Sequence, residues 1–218
     1  MALPGWAALR EAGAWRWVLA AGVGLLVLVG LGFGGWSWYH AGQARGLQEL
    51  TGASALAQEA LAPQGTLTQR EAAIRRLEEA LARSPSNRLV PQAAYHLGNL
   101  RNDAHAYEAA RGAYTLAIAR GARDSLLTLC RLGIGYTWEG QGKYGEALSA
   151  YQKALLHLGP TDFLYEEVLM GIARAAELTG KLDQALDTYR RILREVPQTR
   201  RADDIRWRLA SLEKRPRR

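Results

Sequence analysis

Residues Tyr144–Gly159 read YGEALSAYQKALLHLG, and three further segments of the chain share their pattern. In each segment a small residue is followed four positions later by a large one and seven positions later by a small or aliphatic one. This spacing places all three residues on one face of an α-helix. The four triples are Ala73/Leu77/Ala80, Ala110/Tyr114/Ala117, Ala147/Tyr151/Ala154 and Ala185/Tyr189/Ile192, and their first members lie 37, 37 and 38 residues apart. Such a period predicts an array of stacked repeats.

A second set of small residues predicts a partner helix for the last three segments. Twelve residues before each alanine, a small residue follows an aliphatic one, as Leu97-Gly98, Ile134-Gly135 and Ile172-Ala173. Each unit is therefore expected to be a helix hairpin. Gly142 and Gly180 hold matching positions between the two helices of their units, and we predict a positive φ there because glycine commonly ends a helix in that conformation.

These hairpins resemble the tetratricopeptide repeat family, whose repeats place small, aromatic and small residues in this order. The resemblance covers residues 43–213 and implies an all-α fold, an α-solenoid of about four helix-hairpin repeats. The first repeat would begin with an unusual helix over Gln43–Leu61. Residues Ile205, Leu209 and Leu212 form an apolar stripe that predicts a C-terminal capping helix, followed by a basic tail at 214–218. The repeat tyrosines are expected to be packing residues: Tyr107, Tyr114, Tyr144, Tyr151 and Tyr189.

The resemblance also implies where a partner would bind. Solenoids bind through a concave surface, and in this family four positions of each first helix face it. The matching residues are Gln92, Tyr95, Asn99, Asn102, Leu129, Leu132, Tyr136, Glu139, Glu167, Met170, Arg174 and Glu177. This mixed groove with apolar patches suits an extended or helical peptide. The alternative is that the chain's own ends or a second copy cover some of these residues.

The N-terminal region predicts a transmembrane helix over residues 17–39. Residues 17–44 contain no Asp, Glu, Lys or Arg, and tryptophans stand at both ends of the apolar run. A helix of this length covers about 35 Å, enough to cross a hydrocarbon core of about 30 Å. A cleaved signal peptide is the competing interpretation, but its apolar region would be shorter and would end at small residues. Here the run ends at Trp38-Tyr39-His40.

Positive charge predicts the orientation of this helix. Arg10 and Arg16 lie in the short arm at 1–16, whereas Arg45 is the one basic residue that closely follows the span. Because basic residues favour the cytoplasmic side, we expect the arm in the cytoplasm and the repeats outside it. Gly30 and Gly34 form a GxxxG pair, and whether that pair mediates helix contacts stays open.

Charge and motif content bear on nucleic-acid binding and catalysis. The net charge is +7, but residues 41–193 carry 17 basic and 16 acidic side chains, so the repeats are nearly neutral. This disfavours a nucleic-acid partner, although the basic C-terminal end leaves that class testable by salt-dependent DNA binding. No HExxH, Walker, GxSxG or GxGxxG motif is present, and the four histidines lack metal-ligand spacing. Cys130 is expected to be a buried thiol. We therefore predict no enzyme activity, no catalytic residue, no metal and no cofactor.

The order of anchor and repeats resembles the ancillary SecYEG translocon subunit family of bacteria. The segment LREAGAWRWVLAAGVGLLVLVGLGFGGWSWYHAGQA, Leu9–Ala44, is similar to that family's entry into the membrane. The resemblance implies a single-pass protein of the inner (cytoplasmic) membrane, with periplasmic repeats that link the Sec translocon to periplasmic chaperones. The alternative is a processed periplasmic repeat protein acting in envelope assembly or cell division. The oligomeric state stays open.

Overall fold

The computed structural model describes residues 14–214 and contains only helices there. They are α1 Ala14–Ala60, α2 Leu67–Arg83, α3 Val90–Asp103, α4 Tyr107–Ala119, α5 Asp124–Gly140, α6 Tyr144–Leu155, α7 Tyr165–Leu178, α8 Leu182–Glu195 and α9 Ala202–Glu213. The predicted arm up to residue 13 and the basic tail from residue 215 lie outside the described residues.

The chain divides into two compact units, Met1–Gly46 and Leu47–Arg218. In the first unit, every side chain from Arg16 to His40 is exposed. The helical segment Arg16–Ala60 includes a window of mean hydropathy 2.2 with none of it buried, so by length and composition alone it could cross a membrane. The predicted helix Gln43–Leu61 is not a separate element. It is the C-terminal part of α1, and no proline interrupts the sequence between Ala14 and Ala60.

In the second unit, the predicted helix hairpins are present as α3/α4, α5/α6 and α7/α8. Each helix from α2 to α8 packs on the next one in the chain, and the first helices of neighbouring hairpins also touch, α3 with α5 and α5 with α7. The α1 residues Leu50, Ala53 and Ala57 are buried in the same core as Leu77 of α2. The helix α2 begins at a capping box, in which Thr66 and Gln69 exchange hydrogen bonds. These contacts produce a linear stack of hairpins.

Two tyrosines of second helices, Tyr114 of α4 and Tyr151 of α6, each join two hairpins. Tyr114 and Tyr151 are almost fully buried. The Tyr114 ring lies against Gly98 of α3 and Gly133 of α5, so closely that a Cβ atom at Gly98 would lie 2.5 Å from ring atom Cε1. Tyr151 lies in the same way against Gly135 of α5 and against Gly171 of α7. Glycine is therefore required where two successive first helices meet one aromatic ring. The packing role expected for these tyrosines is confirmed.

The turn inside each hairpin depends on one left-handed residue. Gly142 has φ +72° and Gly180 has φ +77°, as the spacing predicts. The same position in the α3/α4 hairpin is occupied by His105, with φ +57°. The His105 ring nitrogen Nδ1 lies 2.8 Å from the Tyr107 hydroxyl. A non-glycine residue there costs about 1–2 kcal/mol relative to its right-handed conformation, so this hairpin contains a strained turn that the sequence pattern did not reveal.

Candidate protein-binding face

The twelve predicted binding residues lie on α3, α5 and α7. We call the surface formed by these residues together with Arg201 and Arg208 the first-helix face. Their exposure differs. Gln92 is exposed, whereas Leu132 and Met170 are only 2% and 7% exposed and belong to the core. The remaining predicted residues are half-buried. Most residues of the face are therefore only partly accessible to a partner. Leu132 and Met170 pack inside the chain and are not accessible.

Glu139 is the best-connected residue of the face. Arg174 of α7 donates two hydrogen bonds to its carboxylate, at 2.8 and 2.7 Å, and the Tyr151 hydroxyl donates a third at 2.6 Å. The hydrogen bonds from Arg174 to Glu139 raise the pKa of the guanidinium, against the opposing effect of its burial. Burial is the main cause that raises the pKa of Tyr151, and its bond to Glu139 adds to it. Tyr151 and Arg174 are therefore held in their protonated forms.

Glu167 is held in a similar way. The Tyr136 hydroxyl donates to it at 2.6 Å, and Arg201 at the start of α9 pairs with it at 2.7 Å. Burial by itself would raise the pKa of Glu167, but the hydrogen bonds from Tyr136 and Arg201 outweigh burial and lower it. The Glu167 carboxylate is therefore charged at neutral pH, and it is paired with Tyr136 and Arg201 of the same chain.

Glu177 completes the series. Arg208 of α9 lies 3.6 Å from its carboxylate and the Tyr189 hydroxyl lies 3.5 Å away. Glu139, Glu167 and Glu177 thus each contact one tyrosine hydroxyl and one arginine of a neighbouring first helix. We call these three glutamates and their tyrosine and arginine partners the carboxylate ladder.

Arg201, which directly precedes α9, and Arg208 of α9 were missed by sequence reasoning. A signal was present, because Arg201 follows Glu167 and Arg208 follows Arg174 by 34 residues, the standard repeat length of the resembled family. The helix α9 is therefore placed as the first helix of a further repeat. Its buried residues Ile205 and Leu212 face the core, and Trp207 is 68% exposed.

The α3 part of the face is uncharged. The Tyr114 hydroxyl donates to the Asn99 side-chain oxygen at 2.8 Å. Among residues 14–214, the buried oxygen Oδ1 of Asn102 and nitrogen Nε2 of His96 have no hydrogen-bond partner. Burial lowers the pKa of His96. Gln92 and Tyr95 therefore present an uncharged amide and hydroxyl at the surface, whereas Asn99 is bonded to Tyr114 and the Asn102 oxygen is buried.

The described residues hold little that suggests catalysis. Within residues 14–214, no group of three His, Cys, Asp or Glu side chains is placed to hold a metal ion. Cys130 is fully buried, and burial raises the pKa of its thiol to about 12. A thiol in this state is a poor nucleophile at neutral pH, because the thiolate is the reactive form.

Comparison with known families supports the repeat interpretation. The tetratricopeptide repeat family matches residues 140–209, which include the α5/α6 turn, the α7/α8 hairpin and most of α9. No curated protein matches the sequence.

Solved structures support the same fold over a longer stretch. The chain is similar to the crystal structure of a MamA protein, with a TM-score of 0.51 and 20% identity over 62% of this chain and 67% of that one. It is also similar to MamA 41-end from Desulfovibrio magneticus RS-1, with a TM-score of 0.59 and 13% identity over 75% and 83%. At these identities the likeness extends to the fold alone. The repeats of this chain form an all-α solenoid of the tetratricopeptide type.

Proposed function

We propose that this protein is a non-enzymatic, membrane-anchored scaffold that binds other proteins through its solenoid. One observation carries the proposal. An apolar helix with every side chain from Arg16 to His40 exposed belongs to the same chain as a stack of repeat hairpins. Stacked repeats supply extended binding surfaces, and a long exposed apolar helix needs a non-aqueous environment.

The exposed side chains support the anchor. Trp17 lies near the start of the apolar run, and Trp36, Trp38 and Tyr39 lie near its end, each more than half exposed. Aromatic residues at both ends suit the two interfaces of a bilayer. In the proposal residues 17–39 cross the inner membrane, the N-terminal arm lies in the cytoplasm and the solenoid lies in the periplasm.

Alkaline extraction of membranes tests the anchor. We expect the intact chain to stay in the membrane pellet, and its release into the soluble fraction would contradict the proposal. Mass spectrometry of the mature N-terminus is the matched control. An N-terminus beyond residue 39 would instead support the processed periplasmic protein, with a role in envelope assembly or cell division.

The α3 part of the first-helix face is the proposed partner site. The amide of exposed Gln92 and the hydroxyl of half-buried Tyr95 are available to an extended peptide, whereas the carboxylate ladder pairs its charges within the chain. The order of anchor and solenoid supports partners at the Sec translocon or among periplasmic chaperones, which the chain would bring together at the membrane.

Photo-crosslinking tests this site. We would place p-benzoylphenylalanine at Gln92 or Tyr95 of the full chain, and at exposed Gln152 of α6 as a control. A translocon subunit or periplasmic chaperone captured from the α3 positions and not from Gln152 is the expected result. Equal capture from all three positions, or none from α3, would contradict the proposed site.

A further inference from the structure

A second surface lies away from the first-helix face. A cleft of about 330 Å³ opens between α4, α5 and α6, with Ile118, Ile134 and Trp138 among its lining residues. None of the twelve predicted binding residues lines it. Its volume lies at the lower end of the range for ligand pockets, and it suits one large apolar side chain of a partner.

Four cationic side chains lie in the wall of this cleft or against its Trp138. The Arg111 guanidinium carbon lies 3.6 Å from the centroid of the Trp138 ring, and the Lys143 ammonium lies 5.1 Å from it. Arg131 and Lys153 belong to the cleft wall. The wall contains one carboxylate, that of Glu146. The cleft therefore combines an apolar centre with a surplus of positive charge.

These cations differ from most arginines of the second unit. Arg70, Arg101 and Arg190 each pair with a carboxylate of another helix at 2.7–2.8 Å. Within residues 14–214, none of the four cleft cations is in an ion pair. Arg111 donates to the Gln141 side-chain oxygen at 2.9 Å, and Arg131 donates to the main-chain oxygen of Lys153 at 2.9 Å. These four positive charges are thus not neutralised by ion pairs within the described residues, although the Glu146 carboxylate belongs to the cleft wall.

We propose that this cleft binds an acidic peptide segment of a partner protein. One apolar side chain of the segment enters between Ile118, Ile134 and Trp138, and its flanking carboxylates pair with Arg131 and Lys153. Charge-assisted hydrogen bonds between carboxylates and cations are about twice as strong as neutral ones. The proposal goes beyond the scaffold function, since it adds a site on different helices with a different chemistry.

Charge complementarity and shape favour this occupant. An anionic membrane surface is flat and would bind cations that project from the protein. These cations lie at a recess, which suits a peptide side chain better than a membrane. The acidic residues Asp203, Asp204 and Glu213 near the C-terminal end already pair with Arg206, Arg208 and Arg190, so this acidic cluster of a second copy is a poor occupant.

Fluorescence anisotropy with the full chain in uncharged detergent micelles tests the proposal. The probe is the fluorescein-labelled peptide EELFEE, and the matched probes are EESSEE and KKLFKK. We expect saturable binding of EELFEE and at least tenfold weaker binding of both matched probes. Lys153→Glu and Trp138→Ala should each weaken EELFEE binding at least tenfold, while Lys181→Glu, an exposed lysine on a different turn, should leave it unchanged. Circular dichroism checks that each variant is folded. If Trp138→Ala unfolds, Lys153→Glu still tests the cleft, because Lys153 is exposed and its substitution should not disturb the core.

Several results would overturn the proposal. One is the absence of saturable EELFEE binding, and another is equal binding of KKLFKK. Binding that survives Lys153→Glu but is lost in Tyr95→Ala would move the peptide to the first-helix face, which would support the proposed scaffold site and refute this one. Displacement of the peptide by phosphatidylglycerol in the micelles would assign the cleft to lipid, and displacement by self-association would assign it to a second copy.

Discussion

At the scale of single residues, the stack depends on glycines that let tyrosine rings lie directly against helix backbone. Gly98 and Gly133 flank Tyr114, and Gly135 and Gly171 flank Tyr151. Gly112 of α4 and Gly145 of α6 have no such role. Gly112 of α4 has ordinary helical φ and no atom within 4 Å of a built Cβ. The two classes should respond in opposite directions to alanine.

We predict that Gly98→Ala destabilises the solenoid by about 1–3 kcal/mol, the usual cost of overpacking a core. Gly112→Ala should stabilise it by about 0.5–1 kcal/mol, because alanine is the better helix former. Urea unfolding of the full chain in micelles, followed by circular dichroism, measures both. Equal effects of the two substitutions would contradict the account of the tyrosine packing.

The lowered pKa of Glu167 predicts a pH dependence of stability. A carboxylate whose folded pKa lies below its ordinary value of 4.5 stabilises the fold fully above that value. The contribution is lost as the pH falls from about 4.5 through the folded pKa. In Glu167→Gln this acid-dependent loss should be smaller than in the parent chain, with exposed Glu71→Gln as the control. Urea midpoints between pH 7 and pH 3 test this, and an unchanged acid slope in Glu167→Gln would contradict it.

At the scale of elements, α9 caps the stack and completes the carboxylate ladder. It contributes Arg201 to Glu167 and Arg208 to Glu177. Its fully buried Ile205 packs in the same core as Tyr189 and Ile192 of α8. In stacked repeats each unit contacts chiefly its neighbours, so damage at α9 should spread first to α8 and α7.

We predict that Ile205→Ala destabilises the C-terminal end by about 2–4 kcal/mol, the range for truncating a buried aliphatic side chain. Hydrogen–deuterium exchange should then become faster in α9 and α8 while α3 keeps the rate of the parent chain. Leu156→Ala, at a 57% exposed position, is the matched control. A uniform acceleration across α3 to α9 would show that the hairpins do not open independently.

The helix hairpins could be predicted from the local spacing of residues in the sequence. The side-chain contacts between different hairpins could not. The α5/α6 and α7/α8 turns could be predicted because glycine, at Gly142 and Gly180, is the usual residue for a left-handed turn. His105 takes the same conformation without glycine, and a pattern of residue types does not report this. The carboxylate ladder requires side chains to meet across α5, α7 and α9. The predicted groove therefore included Leu132 and Met170, which pack inward, and omitted Arg201 and Arg208.

At the scale of the whole molecule, an exposed apolar helix and a solenoid of repeats belong to one chain. The composition average conceals this division, because the mean hydropathy of the whole chain is −0.19 while the N-terminal window reaches 2.2. A scaffold held at a membrane by residues 17–39 would concentrate its partners at that surface. The side of the membrane on which the solenoid lies then decides which partners it meets.

The single native cysteine makes the location directly measurable. Cys130 is fully buried with a raised pKa, so a maleimide should not label it in the folded chain. Gln152→Cys adds an exposed thiol on α6. The measurement is labelling of this variant by a membrane-impermeant maleimide in intact spheroplasts, followed by alkaline washing of the membranes. We predict labelled, full-length protein in the washed pellet, with the parent chain unlabelled. Labelling that requires lysis, or labelled protein in the soluble fraction, would contradict a scaffold anchored with its solenoid outside the cytoplasm.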